Sequence, residues 1–182
     1  MDTKSICSKA PTRIDLAGGT VDIWPLYLFL ESPTTLNLAI DLFAEAELNF
    51  TDPTPASRKK SQVVLESVDQ GLKTELSWEE LEKKRDLPSG LDLHARLIRY
   101  FVTKTFDFQS MASRVPYMHL KTRARSPAGA GLGGSSSLSV AMTGALASWI
   151  AELDPKSNFK TILEGDQLIE IVRDVETTVI QV

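Results

Sequence analysis

The stretch 126–137, SPAGAGLGGSSS, constrains this chain more than any other. Glycines at 129, 131, 133 and 134 are followed by three serines and then by LSVAMTGALASWI, in which Leu138, Ala141, Met142, Ala145 and Trp149 recur at helical spacing to about Glu152. Immediately before the glycines, YMHLKTR at 117–123 alternates as a strand does. A strand, a loop free to adopt left-handed backbone, and a long apolar helix are expected in that order. Backbone N–H groups of such a loop, together with a helix N-terminus, make an electropositive cradle for phosphate, and hydroxyls on the first turn can bind phosphate or a metal. Joining a strand to a helix takes fewer than four glycines, so the expected guest is an anion, a nucleotide phosphate.

Two familiar glycine motifs do not fit. Gly129-x-Gly131-x-x-Gly134 has the letters of a dinucleotide fingerprint, and Asp154 follows at a suitable distance. That fold needs the acid at the end of a second parallel strand, whereas here a long helix fills the interval and Asp154 sits in a Leu-Asp-Pro turn. A Walker loop needs lysine after Gly134, where Ser135 stands.

Elsewhere the pattern is strands first and helices later. Strand-like stretches at 4–10 and 35–50 suggest a hairpin-rich start, and SQVVLESVD and LKTELSW flank a Gln70-Gly71 turn. Ser77, with Glu79 and Glu80 behind it, reads as a helix N-cap with first-turn acids. LDLHARLIRYFV at 91–102 puts Leu91, Ala95, Ile98 and Phe101 on one helical face, and GDQLIEIVRDVETTVI near the end does the same with Leu168, Ile171, Val172 and Val175. Without βαβ alternation this order indicates an α+β domain, its sheet mainly antiparallel and packed against helices. With 182 residues, 42% hydrophobic and 24% charged, one compact domain is the expectation.

The formal charge of -4 argues against a nucleic-acid partner, which would want basic residues on one face. Arg58-Lys59-Lys60 and Lys83-Lys84-Arg85 read as solvated surface, and Lys121, Arg123 and Arg125 form the third basic cluster. The single Cys7 makes no internal disulfide, MDTKSICSKAP lacks a signal-peptide core, and WPLYLFL is broken by Pro25 and too short to span a bilayer, which indicates a cytoplasmic protein without a membrane partner. Cys7 reads as a strand residue. His94 and His119 have no companion at ligand spacing and are expected to be structural. Ser135 to Ser137 lack the G-x-S-x-G of a nucleophile elbow. Trp24, Tyr27 and Phe29 read as core before they read as a sugar or adenine pocket.

A second constellation is APTRIDLAGGTVD, 10–22. Arg13 and Asp15 leave Pro11 on a strand, Gly18-Gly19 allow a close backbone approach, and Asp22 follows in a loop, where a carboxylate can accept two sugar hydroxyls and a nearby arginine can lower the pKa of an attacking hydroxyl.

Taken together, APTRIDLAGG-x-x-D resembles the first motif of the GHMP small-molecule kinases, and Pro127-x-x-x-Gly131-Leu132-Gly133-x-Ser135-Ser136 resembles their second, the phosphate loop. The Ala-Gly-Gly form is similar to the sugar-kinase branch with the heptose kinases and L-fucose kinase. The resemblance implies a ribosomal-S5-like α+β fold and an ATP-dependent sugar kinase acting on a heptose, a heptose phosphate or a fucose-like sugar, with Mg²⁺. It implies that Pro127, Gly129, Ala130, Gly131, Leu132, Gly133, Gly134, Ser135 and Ser136 wrap the ATP phosphates. Ser135 and Glu176 would be Mg²⁺ ligands, Asp22 with Gly18 and Gly19 would meet the sugar, and Arg13 would lie beside the transferring phosphoryl group. Two positions depart from the pattern: Val21 stands where threonine is usual, with Thr20 one place earlier, and Gly134 replaces a serine or threonine.

In the family a catalytic aspartate follows the position of Glu176 in a Gly-x-Gln-Asp-like segment, and a third glycine motif and a C-terminal domain come later. Residues 1–182 are therefore expected to be the N-terminal, ATP-binding domain, completed by a C-terminal half or given to self-association, and inactive alone. The competing expectation is a non-catalytic module that binds nucleotide or sugar phosphate.

Overall fold

The computed structural model describes residues 3–19, 25–53, 62–83, 86–127, 129–157, 170–172 and 175. Among them five strands form one sheet: β1 (Thr3–Ala17), β2 (Leu36–Thr51), β3 (Gln62–Ser67), β4 (Leu72–Leu76) and β5 (Tyr117–Ala124), in the order β1-β2-β5-β3-β4. The helices are α1 (Trp78–Lys83), α2 (Ser89–Thr105), α3 (Phe108–Arg114) and α4 (Gly134–Leu153), with a single 3₁₀ turn at Leu26–Phe29. The expected α+β sheet is present. Its pairings are antiparallel except β3 with β5, which run parallel because β4 and three helices intervene between them.

The alternation in β2 explains the packing. Ala44, Ala46, Leu48 and Phe50 are buried, while Glu45, Glu47 and Asn49 point the other way: Glu45 pairs with Lys9 and Arg125, Glu47 with Lys121, and Asn49 donates to Glu47. One sheet face is thus the core and the other is a ladder of charge pairs. On the core face α4 lies over β1 and β2, and α2 lies beside it over β3. Leu91, Ala95, Ile98 and Phe101 of α2 are fully buried, as are Ala141, Met142, Ala145 and Trp149 of α4. Trp149 stacks on Trp78 at 6.3 Å and meets Phe50 edge-on at 6.5 Å, and Trp78 Nε1 donates to Val115 O at 2.9 Å. Ser77 and Glu80 form a reciprocal capping box, each side chain bonding the other's backbone N–H, which starts α1 where the sequence placed it. Near the end, Ile171, Val172 and Val175 are buried as their helical stripe predicts.

The hairpin-rich start takes a different form. The stretch at 4–10 and the strand carrying Arg13 and Asp15 are one element, β1, which runs to Ala17 with the whole of β2 as its partner. Pro11, which has no N–H to give, sits at a register shift on this edge strand. β5 pairs with β2 only from Ala44 to Thr51, so the far ends of β1 and β2 continue past the sheet as a two-stranded ribbon. Phe29 is not core: it is 79% exposed, in the 3₁₀ turn beside that ribbon. Trp24 lies outside the described residues.

His94 is structural, as expected, and more deeply so. It is 1% exposed, and its Nε2 meets Thr122 Oγ1 at 2.8 Å. Thr122 Oγ1 donates to Glu66 O, leaving a lone pair for a His94 Nε2–H. Burial pushes the imidazole down to about 4, against smaller upward pulls from the Asp69 charge and the Glu66 carbonyl. The unfolded chain takes up this proton below about 6.5 and the folded chain only below about 4, so stability is full above the upper limit and falls as pH drops between them. Up to about 3 kcal/mol should be lost across that window. Thermal midpoints measured from pH 7 to pH 4 should show the slope, and His94→Gln should flatten it; equal slopes in both proteins would remove His94 as the cause.

Candidate functional site

The glycine loop lies between β5 and α4, and the chain around it is pinned at several points. Asp69, in the β3–β4 turn, accepts from Ala124 N at 3.1 Å, and Arg125 N donates to Phe43 O at 3.1 Å, which holds the end of β5. Arg13 N donates to Leu132 O at 3.0 Å, and Ser137 Oγ donates to Pro11 O at 2.9 Å. These last two bonds stand on either side of the register shift in β1. The two sequence motifs, more than a hundred residues apart, are therefore fastened directly to each other.

Within the loop Gly129, Gly131 and Gly133 have φ of +74°, +70° and +65°. A side chain at any of the three would be strained by the backbone alone. A Cβ added at Gly129 or Gly131 would meet no atom within 4 Å, so the positive φ and not packing asks for glycine there, and the space beside the backbone is open. Gly133 is the N-cap of α4, no side chain caps this helix, and its first turn carries no acid. The N–H groups of that turn consequently face outward unpaired, with the positive end of the dipole behind them.

A cavity of about 630 Å³ opens here. Pro127, the loop from Gly129 to Gly134, Ser135 and Ser136 form one wall; the start of α2, from Ser89 to His94, and the Asp69-Gln70 turn form the other. The N-terminus of α2 also lacks a side-chain cap, so two helix starts face one space.

On the other side of the loop stands the β1–β2 ribbon. Side chains alternate along it: Arg13 and Asp15 share one face, where Arg13 Nε donates to Asp15 Oδ1 at 3.0 Å. A Cβ built on Gly133 would lie 3.5 Å from Arg13 Nη1, so the guanidinium crosses the loop's end at ordinary contact distance. Gly18 turns back at φ +73°, where a Cβ would come within 2.3 Å of Thr34 O, and Gly19 closes on Asp15. The structure thus sets Arg13 against the loop's end at Leu132 and Gly133, with Gly19 behind it on Asp15 and Gly18 against Thr34. None of Arg13, Gly18 and Gly19 lines the cavity itself. Asp22 and Glu176 lie outside the described residues. Among the described residues no group of three or more His, Cys, Asp or Glu forms a metal centre.

These features fit a nucleotide's phosphates: left-handed glycines whose missing side chains leave open space, an uncapped helix start, and a guanidinium alongside. Ser135, exposed on the first turn, is one hydroxyl of the kind Mg²⁺ takes together with phosphate oxygens. Asp69 and Ser137 hold the loop in place and Ser126 borders the cavity. No spacing rule singles these three out, because Asp69 and Ser137 bond distant strands and Ser126 stands against Gly134 across the loop.

Residues 93–181 match the family described as GHMP kinases N terminal domain. The chain is 29% identical over 148 residues to D-glycero-alpha-D-manno-heptose 7-phosphate kinase of Campylobacter jejuni, a match covering 81% of this chain and 38% of that protein. Its fold is similar to Methanococcus jannaschii mevalonate kinase, with TM-score 0.68 at 14% identity over 97% of this chain and 47% of the other. It is also similar to Lactococcus lactis galactokinase complexed with galactose, with TM-score 0.61 at 17% identity over 98% and 39%. The chain therefore spans less than half the length of the proteins it matches. Both motifs and the match over residues 93–181 liken this chain to the N-terminal domain of the GHMP kinases, and its fold is one that solved kinases share.

Proposed function

We propose that residues 1–182 form the nucleotide-binding domain of an ATP-dependent sugar kinase, and that the acceptor is a heptose or heptose phosphate. The observation that carries the reading is the loop from Gly129 to Gly134. Three left-handed glycines stand there at the bare start of α4, beside Arg13, with open space where side chains would be. The heptose direction is supported by the Campylobacter jejuni relative. ATP supplies the γ-phosphoryl group, and Mg²⁺ neutralises charge on its phosphates.

The chain's own residues do the positioning. Backbone N–H groups of the loop and the first turn of α4 hold phosphate oxygens. Arg13 is oriented by Asp15 through its Nε, which aims the rest of the guanidinium along the loop toward the transferring group. Asp22 and the Gly18-Gly19 turn receive the sugar. Ser135 and Glu176 complete the metal's coordination. Calorimetric titration with Mg-ATP tests the loop, and absence of binding would end the proposal.

Glu176 can be tested in a longer chain that completes the kinase. Glu176→Gln keeps the shape and removes the charge, and turnover should fall at least ~10²-fold, the scale of losing one strong electrostatic contact in a transition state. A smaller effect with an unchanged Mg²⁺ requirement would make Glu176 a surface acid.

The C-terminal half of such a kinase is the proposed partner, docked on the apolar face of the ribbon. Ile14 opposes Leu38 there, and both are exposed, with Leu16 and Leu36 bare beside them. A cytoplasmic setting is part of the same reading. Among the described residues no helix is long and apolar enough to cross a membrane.

A further inference from the structure

We propose that the Ser126 hydroxyl is a phosphate-binding group of this site, standing in for the side-chain hydroxyl that the first residue of α4 does not have. The inference rests on the phosphate-loop reading above. Ser126 follows the end of β5, is 9% exposed, and borders the cavity that the glycine loop bounds. No hydrogen bond to its hydroxyl is found among the described residues. The hydroxyl is not one of the fully sealed polar atoms, so its hydrogen-bonding capacity is open to whatever fills the cavity.

Its position shows what it replaces. A Cβ added at Gly134 would lie 2.5 Å from Ser126 Oγ, closer than any real Cβ contact, so the oxygen occupies the space in which a side chain on α4's first residue would begin. A side chain at 134 would require the Ser126 hydroxyl to turn away from this place. From this place the hydroxyl sits against the uncapped start of α4, where the free N–H groups draw an anion. Its O–H can donate to the same phosphate that those N–H groups hold, as a first-turn hydroxyl would, but from the strand side of the loop. Gly134 is then half of a paired exchange, with the hydroxyl moved from helix to strand end and the helix position emptied to admit it.

The test is a swap in the 182-residue chain, using wild type, S126A, G134S and S126A/G134S. Each is titrated calorimetrically with Mg-ATP and, separately, with magnesium tripolyphosphate, which has the phosphates and no base, while thermal unfolding reports folding. S126A should weaken both ligands ~10-fold, the loss of one hydrogen bond to a charged group. G134S alone should bind worse still or fail to fold, because two groups compete for one space. The double variant should return to within about threefold of wild type, the ordinary error of additivity, since the hydroxyl is restored from the helix side. A purely structural role for Ser126 gives no such rescue. Unchanged affinity in S126A, or a double variant no tighter than S126A, overturns the proposal. Gly131→Val, run alongside, separates the two readings: if it abolishes binding while S126A does nothing, only the Ser126 assignment falls. A wild type that binds neither ligand overturns both.

Discussion

Gly131→Val is expected to remove Mg-ATP binding from this chain and leave it folded. The residue has φ +70°, and a Cβ there would touch nothing within 4 Å, so the folded protein suffers backbone strain and no clash. That strain is worth about 1–2 kcal/mol, with some excess for a β-branched residue, which a domain of ordinary stability survives. The same side chain fills the space through which phosphate must approach the backbone. Displacing it from two charge-assisted bonds should weaken affinity at least ~100-fold. Gly71, at φ +64° in the β3–β4 turn and equally open, supplies the matched control: Gly71→Val carries similar strain and should keep its affinity. Calorimetry gives the binding and circular dichroism the folding. A Gly131→Val protein that binds as tightly as wild type would mean that the loop is a connector.

Alone, the 182-residue chain should show no phosphorylation of sugars above background. A general base must come within about 3 Å of the proton it takes, and the described carboxylates near the loop are already engaged. Asp15 is held by Arg13, Asp69 by Ala124 N, and Asp92 by Arg96. Asp22 is assigned to sugar hydroxyls and Glu176 to the metal. The bare Ile14–Leu38 face should also make the isolated chain self-associate, with a light-scattering mass that rises with concentration. Assays with Mg-ATP and a panel of hexoses and heptose phosphates decide the first point. Turnover of about 1–100 per second, the usual range for kinases, would place a base within these residues. Mg-ATP or sugar-phosphate binding without turnover, even when a C-terminal half is supplied, would favour the non-catalytic module.

Local chemistry made much of this domain legible. The α4 stripe, the Ser77 cap, the Gln70-Gly71 hairpin and the α2 face depend on contacts within a few residues or on helical period, and each forms where those patterns put it. β1 was legible as two strand stretches, one at 4–10 and one carrying Arg13 and Asp15, but not as one continuous strand. The ribbon beyond Pro11 is held by strand pairing and by the Arg13 N–Leu132 O bond, both between distant residues, and its exposed Ile14 and Leu16 carry no signal that distinguishes them from core. Phe29 misled for the same reason, since hydrophobicity tells that a residue seeks cover and not where the cover lies.

The sequence by itself determined that a strand feeds a left-handed glycine loop and a long buried helix, because glycine's freedom at positive φ and the apolar period are properties of the residues themselves. It also paired the two motifs, by resemblance. Only the tertiary structure decided that Arg13 N bonds Leu132 O, that Asp69 holds Ala124, and that His94 is buried in the cavity's wall. It alone showed what stands beside Gly134, since the oxygen that a side chain there would meet belongs to Ser126 on the far side of the loop. Such contacts join groups brought together by the fold, and neither periodicity nor propensity encodes a distance in space.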